Sequence, residues 1–475
     1  MSFAQYEYLP FLLAVLAVFQ MTPAAARKAV LLVASFGFYV YWQPWHGLLL
    51  AASIVSNFAS GLALERASSL RARRAWLALA LCANLGLLIV FKYGGFVVDN
   101  VNALLTEFGA PPLARPNLAL PLGLSFYTFQ GLGYVIDVWR RRIPACRSAL
   151  TFALYASFFP PLVAGPIERA DHLLPQLDRL MPLEAGNAWV GSRRVLWGLF
   201  KKWVLADQLR SVVWPVFSAP DAHGSAALLV ALFGMQAVLY LDFSAYTDIA
   251  RGSARLFGVE LVENFRRPFA ARSFAELAQR WHISLYTWIR DYAFAPLFGS
   301  RLSHATIWRN NLLVMGAFGL WHGASWSFLV WGLAGGAVIA AGHSWRLART
   351  RAGVRRAPSS GAGLSRFGSW ASTLFFAALF MVLFFGPDLR FAGEYYARLF
   401  GFAGSDVDEL TQFVLPVGAL LALALAVHVA GEKHDLEALW NARSAGLRAA
   451  ALLALAAATL FLRVPDPLPF IYFRF

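Results

Sequence analysis

The sequence predicts an all-α, polytopic integral membrane protein with about 11 transmembrane helices plus re-entrant or amphipathic ones. Three observations carry that reading. Hydrophobic residues make up 59% of the 475-residue chain and charged residues only 14%. Soluble domains carry about 25% charged residues, so a soluble fold could not hide this much apolar surface. The apolar residues come in runs long enough to cross a bilayer. The net charge of +15 is gathered in short stretches between those runs, as the positive-inside rule describes. No Lys/Arg-rich tract carries the interleaved aromatics of a nucleic-acid groove, so no nucleic-acid partner is expected; the partner that composition calls for is the lipid bilayer.

The candidate spans run in order along the chain. Residues 9–23 form a short one, followed by 29–42 and 48–64. Residues 76–98 are long and clean, whereas 117–139 and 149–167 are broken by Pro and Gly. The later candidates are 226–250, 311–341, 370–385, 413–430 and 447–462. The opening MSFAQYEYLP lacks the basic stretch and small-residue cleavage site of a signal peptide, so the first run is read as a retained helix.

Basic loops set the expected orientation. Arg66, Arg71, Arg73 and Arg74 follow the third run, and Arg140, Arg141 and Arg142 follow the fifth. Arg346, Arg349, Arg351, Arg355 and Arg356 form another cluster, in a loop over 346–363 whose Pro, Ser and Gly suit a flexible connector. The stretch 99–115 between the first two clusters is nearly devoid of basic residues. Alternation then places the basic loops in the cytoplasm and the N-terminus outside, in the periplasm of a Gram-negative cell. Two cytoplasmic loops need an even number of crossings between them, whereas three candidates lie between Arg142 and Arg346. Either one crossing is missed or one candidate is re-entrant.

The middle of the chain differs. Residues 191–301 mix charged, aromatic and apolar residues in short pieces, and GLFKKWVLAD at 198–207 reads as an amphipathic helix. Residues 265–291 hold seven charged residues and no long apolar run. Such a stretch lies at the surface or lines a cavity walled by other helices.

Ionisable groups at membrane depth are costly and tend to be functional. His322 sits in GAFGLWHGASWSFLVW, which is otherwise uncharged, with Gly319 and Gly323 permitting close approach. An imidazole can take a proton near neutral pH, as a general base must; the alternative is a structural histidine bonded to a neighbouring helix. His282 lies in RWHISLYTWIRDY, where Trp281, Ser284 and Trp288 share one helical face and His282 and Tyr286 another. Arg290 and Asp291 are placed to pair or cap, and an interfacial aromatic belt is the alternative for the whole segment. In YLDFSAYTD, Asp242 and Asp248 flank Ser244, Tyr246 and Thr247; they either orient a ligand or pair with arginines. Asn264, Pro268 and the Pro160, Pro161 pair read as loop punctuation.

Several chemistries are disfavoured. There is no phosphate-binding G-x-x-x-x-G-K-[ST] loop and no G-x-S-x-G nucleophile elbow. His46, His172, His223, His304, His343, His428 and His434 show no metal-ligand spacing. Cys82 and Cys146 are read as plain thiols.

The motifs together resemble a family. LPLGLSFYTFQGLGYVIDVWR at 120–140 is similar to the signature of the membrane-bound O-acyltransferases (MBOAT) of bacteria, in the branch that serves alginate O-acetylation. FPPLVAGPIE at 159–168, the segments 198–207, 240–248 and 280–292, and GLWHGASW at 319–326 follow in that family's order, and PFIYFRF at 469–475 looks like its C-terminus. The resemblance spans nearly the whole chain, and RWHISLYTWIRDY with LWHGAS is its most specific part.

The resemblance implies one MBOAT-type membrane domain over residues 1–475, with a central tunnel and no separate soluble domain. It implies that His322 is catalytic and that His282 lies across the same tunnel, which Trp281, Trp288, Trp321, Asp242, Tyr246, Arg290 and Asp291 would help to line. It implies acetyl-CoA as the acyl-donor substrate with no bound cofactor. It also implies a periplasmic SGNH-type acetyltransferase partner and a polysaccharide acceptor, reached directly or through that partner, at the bacterial inner membrane. The sequence departs from the family pattern at Ala278, Gln279, Phe298, Arg251 and Ala334, Gly335, which leaves the chemistry intact and the polymer open. One other reading is a D-alanyl or other acyl transferase for teichoic acid or a related polymer. A polysaccharide transporter is a second, for which two matching halves with midplane helix breaks would be expected; none is evident.

Overall fold

In a bilayer every backbone N–H and C=O must be satisfied within the protein, which leaves helices as the natural form for long apolar runs. The computed structural model of the chain follows that rule. It describes residues 2–3, 5–41, 43–116, 118–297, 303–352, 362–431 and 440–471. Phe298, Arg355, Arg356, His434, the end positions 42 and 117 of two candidate spans, and residues 472–475 lie outside them. Among the described residues the regular elements are helices, apart from an isolated antiparallel bridge between Phe265 and Trp281.

Among the described residues six helices are long and apolar enough to cross a membrane: His46–Arg66, Leu70–Glu107, Ser225–Leu256, Trp326–Arg351, Leu364–Phe385 and Val407–Ala430. Two shorter apolar helices, Tyr8–Met21 and Ala445–Phe461, add to them. The protein is therefore a multi-pass membrane protein. The expected count of about eleven spanning helices is not matched among the described residues, and several candidate runs resolve differently. Run 29–42 becomes Arg27–Val40, which has 14 residues. Run 117–139 becomes Leu124–Trp139 with 16, nearly all of it buried. Run 149–167 breaks after Ser157 into helices of nine and four residues, and the second, Phe159–Leu162, contains Pro160 and Pro161. The stretch 99–115 is not all loop, because the helix Leu70–Glu107 runs 38 residues, ~57 Å at 1.5 Å per residue, well beyond a hydrocarbon core of ~30 Å.

The described chain divides into two compact units. The first holds the described residues within 2–199 and 245–262; the second holds those within 200–244 and 263–471. The helix Ser225–Leu256 contributes to both.

In the first unit the core is aromatic. Phe3 lies 4.4 Å from Tyr8 and 4.5 Å from Tyr246, Phe38 lies 5.6 Å from Phe159, and Phe19 meets Phe257 edge-on at 5.3 Å. Polar groups between helices are paired, as the cost of burying them alone requires. Asn57 and Asn84 exchange amide hydrogen bonds of 3.1 and 2.9 Å between His46–Arg66 and Leu70–Glu107. Glu168 is buried, accepts the Val262 N–H at 2.7 Å and holds His172 Nδ1 at 2.7 Å. Arg73 reaches the C-terminal carbonyls of two other helices, Leu64 at 2.6 Å and Trp139 at 2.6 Å. Cations suit helix C-termini, and this contact brings the basic clusters around Arg66–Arg74 and Arg140–Arg142 to one end of the unit.

In the second unit the run 311–341 is two helices. His304–His322 and Trp326–Arg351 pack antiparallel, with Asn311 meeting Gly336 and Gly319 meeting Gly332. A Cβ on Gly319 would lie 2.1 Å from the Phe328 carbonyl oxygen, and one on Gly332 would lie 2.2 Å from that of Met315. Only glycine lets the two backbones touch there. Hydropathy hid the break because the apolar character is continuous across Gly323, Ala324 and Ser325.

Candidate active site

His322 is the last residue of the helix His304–His322 and is 5% exposed. The helix stops because Gly323 is extended (φ −161°) and Ser325 caps the next helix, its Oγ accepting the Phe328 N–H at 3.4 Å. A Cβ on Gly323 would lie 2.2 Å from the Phe328 ring, so a glycine is required beside the histidine. The imidazole is walled by aromatic rings: Phe318 at 4.6 Å, Trp321 at 4.9 Å, Trp331 at 5.1 Å and Phe384 at 5.4 Å between centroids. A titratable ring in so apolar a chamber has little water to compete with a reacting group.

His282 is also in the second unit and is 2% exposed. It does not share a helix face with Tyr286, nor Trp281 one with Ser284 and Trp288, because the helix begins at Ile283. Trp281 is extended and bridged to Phe265, and His282 adopts the left-handed conformation (φ 46°, ψ 54°). For a residue other than Gly, Asn or Asp this backbone state costs about 1–2 kcal/mol. The neighbouring chain holds it: Asn264 O accepts the Ile283 N–H at 2.9 Å, Asn264 Oδ1 accepts the Ser284 N–H at 3.2 Å, and the Arg266 N–H donates to Arg280 O at 3.0 Å. Phe243 meets the His282 ring edge-on at 4.8 Å. His282 lies outside the six candidate spans, and burial pushes its imidazole down to about 3. It is therefore neutral at physiological pH and suited to hydrogen bonding more than to carrying a proton.

The other residues singled out in the sequence fall in several places. Trp281 packs on Phe265 at 5.1 Å and Tyr240 at 6.2 Å. Trp288 packs on Tyr292 at 5.1 Å, and Trp321 stacks on Phe318 at 5.6 Å. Arg290 and Asp291 pair with each other at 2.7 Å. Tyr246 belongs to the first unit, packed on Phe3, and there Asp248 pairs with Arg194 at 3.0 Å.

Asp242 belongs to an ion cluster that sequence periodicity misread. Lys201 and Lys202 do not present a polar face to water; both are buried, at the start of a π-helical segment, Lys201–Ala206. Lys202 Nζ lies 2.7 Å from Asp242 Oδ1 and 2.8 Å from Asp207 Oδ1, and Lys201 Nζ donates to Ser244 Oγ at 2.9 Å. The free carboxylate oxygens accept backbone N–H groups near the C-terminus, Asp242 from Ile471 at 2.8 Å and Asp207 from Leu468 at 3.3 Å. Lys202 also sits 4.6 Å from the Phe470 ring centroid. Among the described residues, π-helical segments also occur at Ile89–Tyr93, at Ile289–Phe294 after Trp288, and at Leu410–Val414. Arg251, one of the departures from the family pattern, donates to Leu261 O at 3.0 Å. Among the described residues no group of three His, Cys, Asp or Glu side chains is arranged to hold a metal ion.

The buried polar residues that the sequence reading did not single out are Asn264, which bonds to the start of the helix at Ile283 and is more than loop punctuation, together with Lys202, Asp207 and Glu168. A sequence signal existed for the lysine: a pair of cations inside a stretch otherwise fit for burial demands carboxylate partners elsewhere.

The family model of the membrane-bound O-acyltransferases, MBOAT, matches residues 139–386, a stretch that contains both histidines. The chain is 35% identical over 422 residues to the probable alginate O-acetylase AlgI of Azotobacter vinelandii, covering 88% of this chain and 82% of that protein. This chain belongs to the membrane-bound O-acyltransferase family. It is an O-acyltransferase. It is also 28% identical over 416 residues to a peptidoglycan O-acetyltransferase of Helicobacter pylori, covering 81% of this chain and 76% of that protein. Likeness to the teichoic acid D-alanyltransferase of Bacillus subtilis is narrower, 26% over 265 residues, or 51% of this chain and 66% of that one.

Proposed function

We propose that this O-acyltransferase takes an acetyl group from a cytoplasmic thioester, acetyl-CoA, and delivers it across the inner membrane for O-acetylation of an exported, alginate-like polysaccharide. The observation that carries the reading is His322, buried among four aromatic rings at the end of a helix inside the family's LWHG motif. The likeness to relatives named as O-acetyl-transferring enzymes, over 81% and 88% of this chain, favours it over D-alanyl transfer, where the likeness covers about half the chain.

The reaction needs few parts. His322 takes the proton of an acceptor hydroxyl as the oxygen attacks the thioester carbonyl. The tetrahedral oxyanion collapses, the carbon–sulfur bond breaks, and the proton passes to the departing thiolate. His282, neutral, orients donor or acceptor by hydrogen bonding. Both rings face one tunnel, lined by Trp281, Trp288, Trp321 and their neighbours, and cytoplasmic arginines suit the donor's phosphates. The acetyl group leaves on the periplasmic side to a separate SGNH-type acetyltransferase, which modifies the polymer.

Sealed inside-out membrane vesicles test this. Acetyl-labelled acetyl-CoA outside should label an acceptor protein or polymer inside only when the chain is present. A D-alanyl carrier-protein thioester should not substitute. Equal transfer from that thioester, or labelling that does not depend on the chain, would overturn the reading.

A further inference from the structure

His282 sits in a left-handed backbone conformation that non-glycine residues adopt uncommonly, and the segment that holds it there includes Asn264. Asn264 is 0% exposed. Its carbonyl oxygen takes the Ile283 N–H at 2.9 Å and its side-chain Oδ1 takes the Ser284 N–H at 3.2 Å. These are the first two N–H groups after His282, the ones a helix start leaves without an intrahelical partner. No capping hydrogen bond comes from the His282 side chain itself. The pairing of Phe265 with Trp281 and the Arg266 N–H to Arg280 O bond at 3.0 Å fix the two segments in register, so Asn264 cannot slide away. The result frees the imidazole from capping duty and fixes the direction in which it leaves the backbone.

We infer that Asn264 is the positioning residue for His282: it caps, from a neighbouring segment, the helix that begins at Ile283, and thereby holds the His282 ring in its working orientation. This rests on the proposed role of His282 in acyl transfer. The side chain does this through its oxygen. Its Nδ2 is buried and meets no hydrogen-bond acceptor among the described residues. An aspartic acid, kept protonated and uncharged in so buried a position, keeps the acceptor and should therefore replace Asn264 in this task. A leucine of similar size should not.

The test measures kcat and KM for labelled acetyl-CoA in membranes carrying the full chain and its acceptor, per inserted protein. Asn264→Leu and Asn264→Ala should each lower kcat by about tenfold or more, as small misplacements of a catalytic group do, with KM for the donor unchanged. Asn264→Asp should stay within about threefold of wild type, since the acceptor is retained. In a His282→Gln background, Asn264→Ala should cause no further loss, because two residues acting through one ring are not additive. Wild-type kcat in Asn264→Ala, or an equal loss in both backgrounds, would overturn the positioning role. If His282→Gln alone transfers acetyl at the wild-type rate, the role of His282 fails independently. If His282→Gln is impaired while the Asn264 variants are not, only the present inference fails.

Discussion

Lys202 shows how much of this protein hangs on single buried charges. It is 0% exposed, and its ammonium is shared by Asp207 and Asp242. Removing one partner from such a cluster leaves unpaired charge in the interior and costs about 3–5 kcal/mol. Lys202→Met is accordingly expected to lower the thermal unfolding midpoint of the detergent-purified protein sharply. Adding Asp242→Asn should recover part of the loss, because it removes one stranded carboxylate. A Lys202→Met protein as stable as wild type would contradict the cluster's structural role. The same residue marks where sequence reading stops. In GLFKKWVLAD the periodicity shows that the lysines share a side, but not whether that side faces water or carboxylates, one of them 40 residues away. His322 stood out because its neighbours are nearly all apolar or aromatic, so its cost is visible without knowing the fold, whereas His282, in a stretch with seven charged residues over 265–291, stood out as a titratable ring between tryptophans. Asn264 did not, because its partners, Ile283 and Ser284, lie on another segment.

At the scale of the element, helices were legible wherever a run was long and unbroken, as in Ser225–Leu256 and Val407–Ala430. Breaks without a change of hydropathy were not. The run 311–341 turns back on itself at Gly323–Ser325, and its glycines serve contact between the two arms. Gly332→Leu is expected to destabilise the hairpin, since even a Cβ there would press to 2.2 Å on the Met315 carbonyl and overpacking typically costs about 1–3 kcal/mol. Gly342→Leu, farther along the same helix, meets nothing within 4 Å and should leave the unfolding midpoint unchanged. Equal behaviour of the two variants would mean that the close approach is not what the glycine provides. His322, the proposed base, sits at the turn of this hairpin, as the last residue of its first arm.

At the scale of the whole molecule, composition alone fixed the class: a chain with 59% hydrophobic residues needs a bilayer, and six helices of crossing length meet that need. The number of crossings was harder to read. Run 149–167 and the 16-residue helix Leu124–Trp139 are apolar because they are buried in protein, and hydropathy does not distinguish burial in protein from burial in lipid. Arg73 does bring the first two basic clusters to one end of the first unit, as two loops on one side of a membrane would be. The central claim is that this membrane protein is an enzyme whose base is His322. An alcohol attacks a thioester poorly until a base takes its proton, and a positioned base contributes about 10²–10⁴-fold. The most direct measurement is the rate of acetyl transfer from labelled acetyl-CoA by His322→Gln, with the amount of inserted protein matched to wild type. Glutamine keeps a hydrogen-bonding side chain but cannot accept the proton, so the account predicts a loss of about 10²-fold or more in a protein that still inserts and folds. Transfer at near the wild-type rate would contradict it and return His322 to the status of a structural histidine.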